Sequence, residues 1–152
     1  RFDTKEIKHL VRVINGASLD APQRRQLLRD LGMEMEDQTV ERFDTKIGPD
    51  GERWADIAEA TKAWYEAEGW TGAEPPLVLQ GELRDTVEGS SQVDSWKVLV
   101  GATKVYAAVH QFGWEDRNIA ARPYIGIGDQ NAQDLADIAT RFIDRQFGKG
   151  AA

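Results

Sequence analysis

Two histidines, one glycine-rich turn and several runs of carboxylates are the residues of this chain that can do chemistry. His110 lies between Ala107-Ala108-Val109 and Gln111-Phe112-Gly113, where a neutral imidazole can act as a general base. No serine, cysteine or acid stands at motif spacing from it, which favours a hydrogen-bonding or interface role. His9 sits beside Leu10 in a helical pattern and reads as a surface residue. Gly126-Ile127-Gly128-Asp129 invites comparison with a phosphate loop, but the lysine-serine or further glycine pattern is absent. Asp129 would also put negative charge where phosphate sits. Asp129, Asn131 and Gln133 match the first ligands of a calcium loop, yet Asp134 replaces its glycine and Thr140 its closing glutamate. The carboxylates at Glu34, Glu36, Asp37, Asp50, Glu52, Glu66 and Glu68 read as solvated faces, because nothing marks one member for a raised pKa in a cleft. The sequence therefore offers no catalytic residues, no metal ligands and no cofactor site.

The five tryptophans carry more information. Trp54 and Trp96 lie in element-like segments and are expected in the core. Trp70 and Trp114 lie in loop-like contexts, where a large aromatic with few rotatable bonds either makes a good interface anchor or folds back on its own domain, the second reading being favoured for Trp70.

The 152 residues suffice for one domain spanning 1–152. Hydrophobic residues (41%) and charged residues (30%) fit an ordinary globular chain, and no apolar run nears the length of a membrane span. The first residues lack the basic flank and apolar block of a secretory signal. With no cysteine, disulfides and thiolate metal sites are excluded. Net charge is −7, with 11 basic and 16 acidic residues up to Pro76 against 8 and 10 beyond it. Such a surface repels polyanions and disfavours direct nucleic-acid binding. Arg24, Arg25 and Arg29 form the nearest basic patch, too small to reverse that.

The elements that must position these residues follow from periodicity. Ile7, Leu10, Val11 and Ile14 predict a helix over Lys5–Ile14, closed by Asn15-Gly16. Asp20 as cap, Pro22 in the first turn and the stripe Leu27, Leu28, Leu31, Met35, Gln38 and Phe43 predict a long helix from Ala21 to Asp44. Gly32 costs that helix about 1 kcal/mol against alanine, which close packing would explain. Gly48-Pro49-Asp50-Gly51 is a turn. A short helix over Ala60–Glu66, a glycine- and proline-rich loop over Gly69–Pro76 and a strand at Leu77–Leu79 follow. Glu82–Val87 fits a helical turn or a strand start equally. Thr86–Val93 and Ser95–Val100 make a hairpin, Lys104–Phe112 a short helix, and Arg122–Ile127 an edge strand or extended segment. Asp129 caps a last helix over Asn131–Phe147, which buries Leu135, Ile138, Phe142 and Ile143 and stops at Gly148. The predicted fold class is α+β: a small, mostly antiparallel sheet flanked by a long N-terminal helix and a C-terminal helix.

The order of residue types is more specific than any one motif. Val98–Asp129 reads VLVGATKVYAAVHQFGWEDRNIAARPYIGIGD, and it is preceded by Glu41-Arg42-Phe43, Gly48-Pro49-Asp50-Gly51-Glu52-Arg53-Trp54, Ala60-Thr61 and Gln80-Gly81-Glu82-Leu83-Arg84-Asp85. With Val100-Gly101, Tyr106-Ala107, His110-Gln111-Phe112-Gly113 and Ala121-Arg122-Pro123-Tyr124, this set resembles the virion morphogenesis, or tail completion, family of Mu-like phages over roughly Asp20–Phe147. One departure is that Trp64-Tyr65-Glu66-Ala67-Glu68-Gly69-Trp70 is acidic and aromatic where the family is commonly basic. The resemblance implies a non-catalytic structural protein of the phage head–tail junction, a tail completion, terminator or neck subunit. It further implies a homo-oligomeric ring, with six copies as the family-level expectation. Neck, connector and tail-tube proteins would be its neighbours, and DNA would only pass through the lumen. Its place would be the virion, after assembly in the host cytoplasm, with no membrane partner. Arg122, held extended before Pro123, can present its guanidinium to a carboxylate of a neighbour or of its own chain. The interface candidates are Trp70, Trp114, Tyr106, His110, Phe112, Arg122 and Tyr124. The alternatives are a transient assembly factor absent from the virion, and a small hydrolase using His110.

Overall fold

The computed structural model describes residues 4–70, 76–78 and 81–148. Its elements are α1 (Thr4–Gly16), α2 (Ala21–Thr45), α3 (Glu59–Ala67), α4 (Glu82–Asp85), β1 (Gln92–Val93), β2 (Val98–Leu99), α5 (Ala107–Phe112) and α6 (Asp129–Phe147), with a 3₁₀ turn at Glu115–Arg117. The layout is α+β, with one small antiparallel sheet. The residues group into two compact units. One takes the chain to Gln38, then 89–100 and 127 onward; the other takes Thr39–Glu88 and Gly101–Gly126.

The first unit has the apolar stripes of its helices as its core. Leu27 and Leu31 of α2 meet Leu135, Ala139, Phe142 and Ile143 of α6, with Ile14 of α1 and Ile127 packed against them. The long helix starts as its sequence dictates: Asp20 Oδ1 accepts the Gln23 N–H at 2.8 Å, and the Gln23 side chain accepts the Asp20 N–H at 2.9 Å. α6 departs from expectation at its first residue. Asp129 lies inside the helix, Gly128 takes the cap position, and Asn131 Oδ1 accepts the Gly128 N–H at 3.1 Å. The Asp129 carboxylate still stands where the helix dipole favours negative charge.

The hairpin is real but short. Gln92 pairs with Leu99 and Val93 with Val98, and Asp94 N–H donates to Lys97 O at 2.9 Å to close the turn. Trp96 sits at the tip of this turn, 76% exposed, so it is not the core residue its β-type neighbours suggest. Arg24 donates to Ser95 O at 2.9 Å and lays its guanidinium 3.7 Å above the Trp96 ring. Glu36, itself buried, accepts the N–H groups of Gly89 and Ser91 and holds the start of the hairpin to α2. Gly32 has its reason here. A Cβ at that position would lie 2.8 Å from Val98 Cγ2 and 3.0 Å from Ser91 Cβ. Gly32→Ala is therefore expected to destabilise the protein by about 1 kcal/mol despite alanine's better helix propensity. Urea denaturation of Gly32→Ala with and without Val98→Ala checks this, since the loss should shrink when Val98 is trimmed.

The second unit is built on aromatic packing. Phe43, fully buried, lies edge-on to Trp54 (centroids 5.6 Å apart) and tilted against Tyr124 (5.3 Å). Leu83, Val87 and Ala107 are buried in the same unit. The predicted turn holds, with Gly51 N–H donating to Gly48 O at 3.0 Å and Ile47 bridged to Arg53. Glu82–Val87, open in sequence, starts with the one-turn helix α4. Leu77 and Val78 belong to no named strand; Leu77 is in a turn with a φ of 68° and Val78 makes one isolated bridge, while Leu79 lies outside the described residues. Residues 71–75 of the predicted loop lie outside them too. Arg122–Ile127 is extended without joining a sheet, because its backbone groups are met by side chains.

Candidate functional site

Six of the seven sequence-predicted site residues, all but Trp70, lie in the second unit around one joint, where α5 lies against the segment Arg122–Ile125. Gln111 makes the joint. Its Oε1 accepts the N–H groups of Tyr124 (3.1 Å) and Ile125 (3.0 Å), and its Nε2 donates to Ile125 O at 2.8 Å. One primary amide thus replaces the sheet neighbour that an extended segment needs. Arg122 N–H donates to His110 O at 2.7 Å, and Tyr124 Oη donates to Ala107 O at 3.2 Å. From α2, Arg42 donates to Tyr124 O at 2.8 Å, and Trp54 Nε1 donates to Pro123 O at 2.9 Å. Two glycines admit the close approach. A Cβ on Gly113, whose φ is 76°, would lie 2.8 Å from Ala121 N, and one on Gly126 would lie 2.6 Å from Pro49 Cγ.

This geometry sorts the seven candidates. Tyr124 is 2% exposed and belongs to the core. Arg122 is also buried, and its guanidinium donates to the backbone carbonyls of Ala55 (2.7 Å), Asp56 (2.9 Å) and Ala120 (3.4 Å). Burial lowers the Arg122 pKa, partly offset by the Asp56 carboxylate. Trp70 is half-buried against Trp64 (4.8 Å) and Tyr65 (5.6 Å). His110 is half-buried with its ring edge-on to Tyr106. Its Nδ1 is buried without a hydrogen-bond partner among the described residues. Burial, and then the Arg122 cation, hold its pKa below the usual 6.5, so the ring is neutral at pH 7. Phe112 (78% exposed), Trp114 (44%) and Tyr106 (37%) face solvent.

Beside the joint lies a cleft of about 580 Å³, lined by Asp56, Tyr65, Glu82, Tyr106, His110 and Arg122 among others. Its carboxylates are engaged at the surface. Glu82 accepts from Lys104 at 2.9 Å, and Lys62 bridges Asp56 and Glu59 at 2.8 Å each. Those bonds lower the pKa of Asp56 and Glu82, keeping both ionised at neutral pH. An imidazole that serves as a general base is normally oriented by a carboxylate or carbonyl. His110 has no such bond among the described residues. Among the same residues no group of three or more histidines and acids converges as a metal site, and no helix is long and apolar enough to cross a membrane.

The ordered residues that build the joint are those that carry the sequence resemblance: Arg42-Phe43, Trp54, His110-Gln111-Phe112-Gly113 and Arg122-Pro123-Tyr124. The sequence profile of the phage virion morphogenesis family matches residues 4–144. The chain belongs to the phage virion morphogenesis family. Among relatives in this family's setting, the Mu-like prophage FluMu G protein 1 of Haemophilus influenzae is 29% identical over 147 residues, covering 93% of this chain and 91% of its own. The "Putative capsid assembly protein G" of Escherichia phage Mu is 28% identical over 106 residues, covering 65% of this chain and 66% of its own. No solved structure matches the chain. Membership gives the protein a role in phage morphogenesis.

Two residues at or beside the site have roles that the sequence does not announce. Gln111 stands inside the His110-Gln111-Phe112-Gly113 motif, yet nothing about a glutamine in a helix marks it as a backbone clamp. Val105, 97% exposed, lies before the helix, which begins only at Ala107 where the sequence predicts Lys104, and it rides the turn closed by Ala107 N–H to Lys104 O at 3.0 Å. Its helical spacing from Ala108, Val109 and Phe112 gives no signal of that exposure.

Proposed function

We propose that this chain acts as one non-catalytic structural domain, 1–152, of the phage head–tail junction, completing or terminating the tail or forming part of the neck. It works as a homo-oligomeric ring, for which six copies is the expectation, between connector and tail-tube proteins in the virion. DNA passes the acidic lumen without being held, since like charges repel. One observation carries this reading: the residues that carry the family resemblance are spent on an internal joint, and beside it Val105, Tyr106, Phe112 and Trp114 are exposed to solvent. Exposed aromatics clustered on a rigid element are how interfaces present anchors. A reading as a hydrolase has less to stand on, because His110 lacks an orienting partner among the described residues. The name borne by the phage Mu relative favours a second reading, an assembly factor that acts and leaves. Finding the protein in purified virions supports the first reading, and its presence only in assembling lysates supports the second.

Phe112→Ala and Trp114→Ala are each expected to weaken ring formation by about tenfold or more while circular dichroism and melting stay near wild type. Light scattering across a concentration series checks this. An unchanged oligomer in both variants removes the rim from the interface.

A further inference from the structure

We propose that, before it enters the ring, the chain pairs α2 antiparallel with α2 of a second copy about a two-fold axis through Met33, an isologous contact distinct from the head-to-tail contacts that close a ring. The exposed residues Arg25, Arg29, Met33, Asp37 and Glu41 follow one another at intervals of four, and so form a single ridge of the 25-residue helix. Their order is self-complementary. Counting outward from Met33, Arg29 stands four residues before it and Asp37 four after; Arg25 stands eight before and Glu41 eight after. An antiparallel copy centred on Met33, crossing at the roughly −50° that aligns two such ridges, sets Arg29 against the partner's Asp37 twice by symmetry, while Arg25 and Glu41, turned about 80° from Met33 round the helix, add longer-range attraction. This is the condition for an isologous contact.

Within one chain the same ridge is frustrated. Arg25 and Arg29 are like charges at i,i+4, and so are Asp37 and Glu41, an arrangement that destabilises an isolated helix. None of these four charges joins an ion pair among the described residues. At the centre Met33 is 60% exposed, a large apolar side chain with no intrachain reason to be there and flexible enough to pack on its own symmetry mate. An antiparallel partner helix relieves both like-charge pairs, opposes the two dipoles and covers Met33. A single helix pair buries less than a standard interface, so the pairing is weak and salt-sensitive, with a Kd on the order of tens of micromolar at low salt.

The absence of cysteine gives a clean test. Helix axes about 8–10 Å apart bring facing Cα atoms within disulfide reach. Under mild oxidation Met33→Cys should form a covalent dimer much faster than Glu88→Cys, an exposed control off the helix. In sedimentation, R25E/R29E and D37R/E41R should each self-associate at least about tenfold more weakly than wild type, and an equimolar mixture should restore a 1:1 dimer. Cross-linking of M33C no faster than E88C, or wild-type self-association in R25E/R29E, overturns the pairing. A ring that forms equally well from both charge-reversed chains without M33C cross-linking also overturns it, and leaves the proposed junction role intact.

Discussion

Arg122→Ala is expected to destabilise the second unit by about 2–4 kcal/mol, a loss that reads out in folding before it reads out in assembly. The buried guanidinium is the donor for the carbonyls of Ala55 and Asp56, and more distantly for that of Ala120. Removing it breaks hydrogen bonds from a charged donor, worth roughly 1.5–3 kcal/mol, and empties the buried space the side chain fills, while the acceptors themselves sit on exposed residues. Arg122→Lys should recover only part of the loss, because a single ammonium cannot serve diverging carbonyls as a planar fork does. Urea denaturation measures both variants. A loss below about 1 kcal/mol together with abolished assembly would instead return the side chain to a neighbouring subunit. The variant also reports through His110, whose pKa is lowered first by burial and then by the Arg122 cation. Removing the cation should raise that pKa, which NMR titration detects. The sign for stability follows. A histidine whose folded pKa lies below 6.5 contributes stability above about pH 6.5, and that contribution is lost as pH falls through the lowered folded value.

Long, strongly periodic elements were legible in the sequence because their pattern is set by one buried face. α6 shows it, with Leu135, Phe142 and Ile143 all buried as their spacing demands; α2 instead serves two cores, Leu27 and Leu31 in the first unit and Phe43 in the second. Where tertiary contacts overrode local pattern, the sequence misled. Trp96 stands in a β-type run, yet the hairpin turns at Asp94–Lys97 and puts it in solvent under Arg24. Arg122–Ile127 has strand composition, but Gln111 satisfies its backbone, so no sheet forms there. Arg122 and Tyr124 show a further limit. A sequence motif records that residue types matter, and does not say whether they matter to the interior or to a partner. In this chain the two are coupled: the interior contacts of His110-Gln111-Phe112-Gly113 fix the backbone from which Phe112 and Trp114 project.

Phe43→Ala should be the most damaging single change, costing about 3–5 kcal/mol. Phe43 is fully buried, and its ring is the common neighbour of Trp54 and Tyr124. Trp54 and Tyr124 are themselves tied to the joint, through Pro123 O and Ala107 O. Emptying the space between them costs the transfer of the ring and its edge-to-face contacts, and loosens the segment that Arg42 and Gln111 hold. Phe43→Leu keeps most of the volume and should cost about 1–2 kcal/mol. Because the packing is local to the second unit, hydrogen exchange should rise in peptides covering 46–56 and 107–126 well before those in α6, whose core is Leu135, Ala139, Phe142 and Ile143. A uniform rise across both sets would mean that the two clusters unfold as one cooperative body. A loss under about 1 kcal/mol would mean that this aromatic cluster does not hold the joint at all, and the rim at Phe112 and Trp114 would then lack the rigid base on which its role as an interface depends.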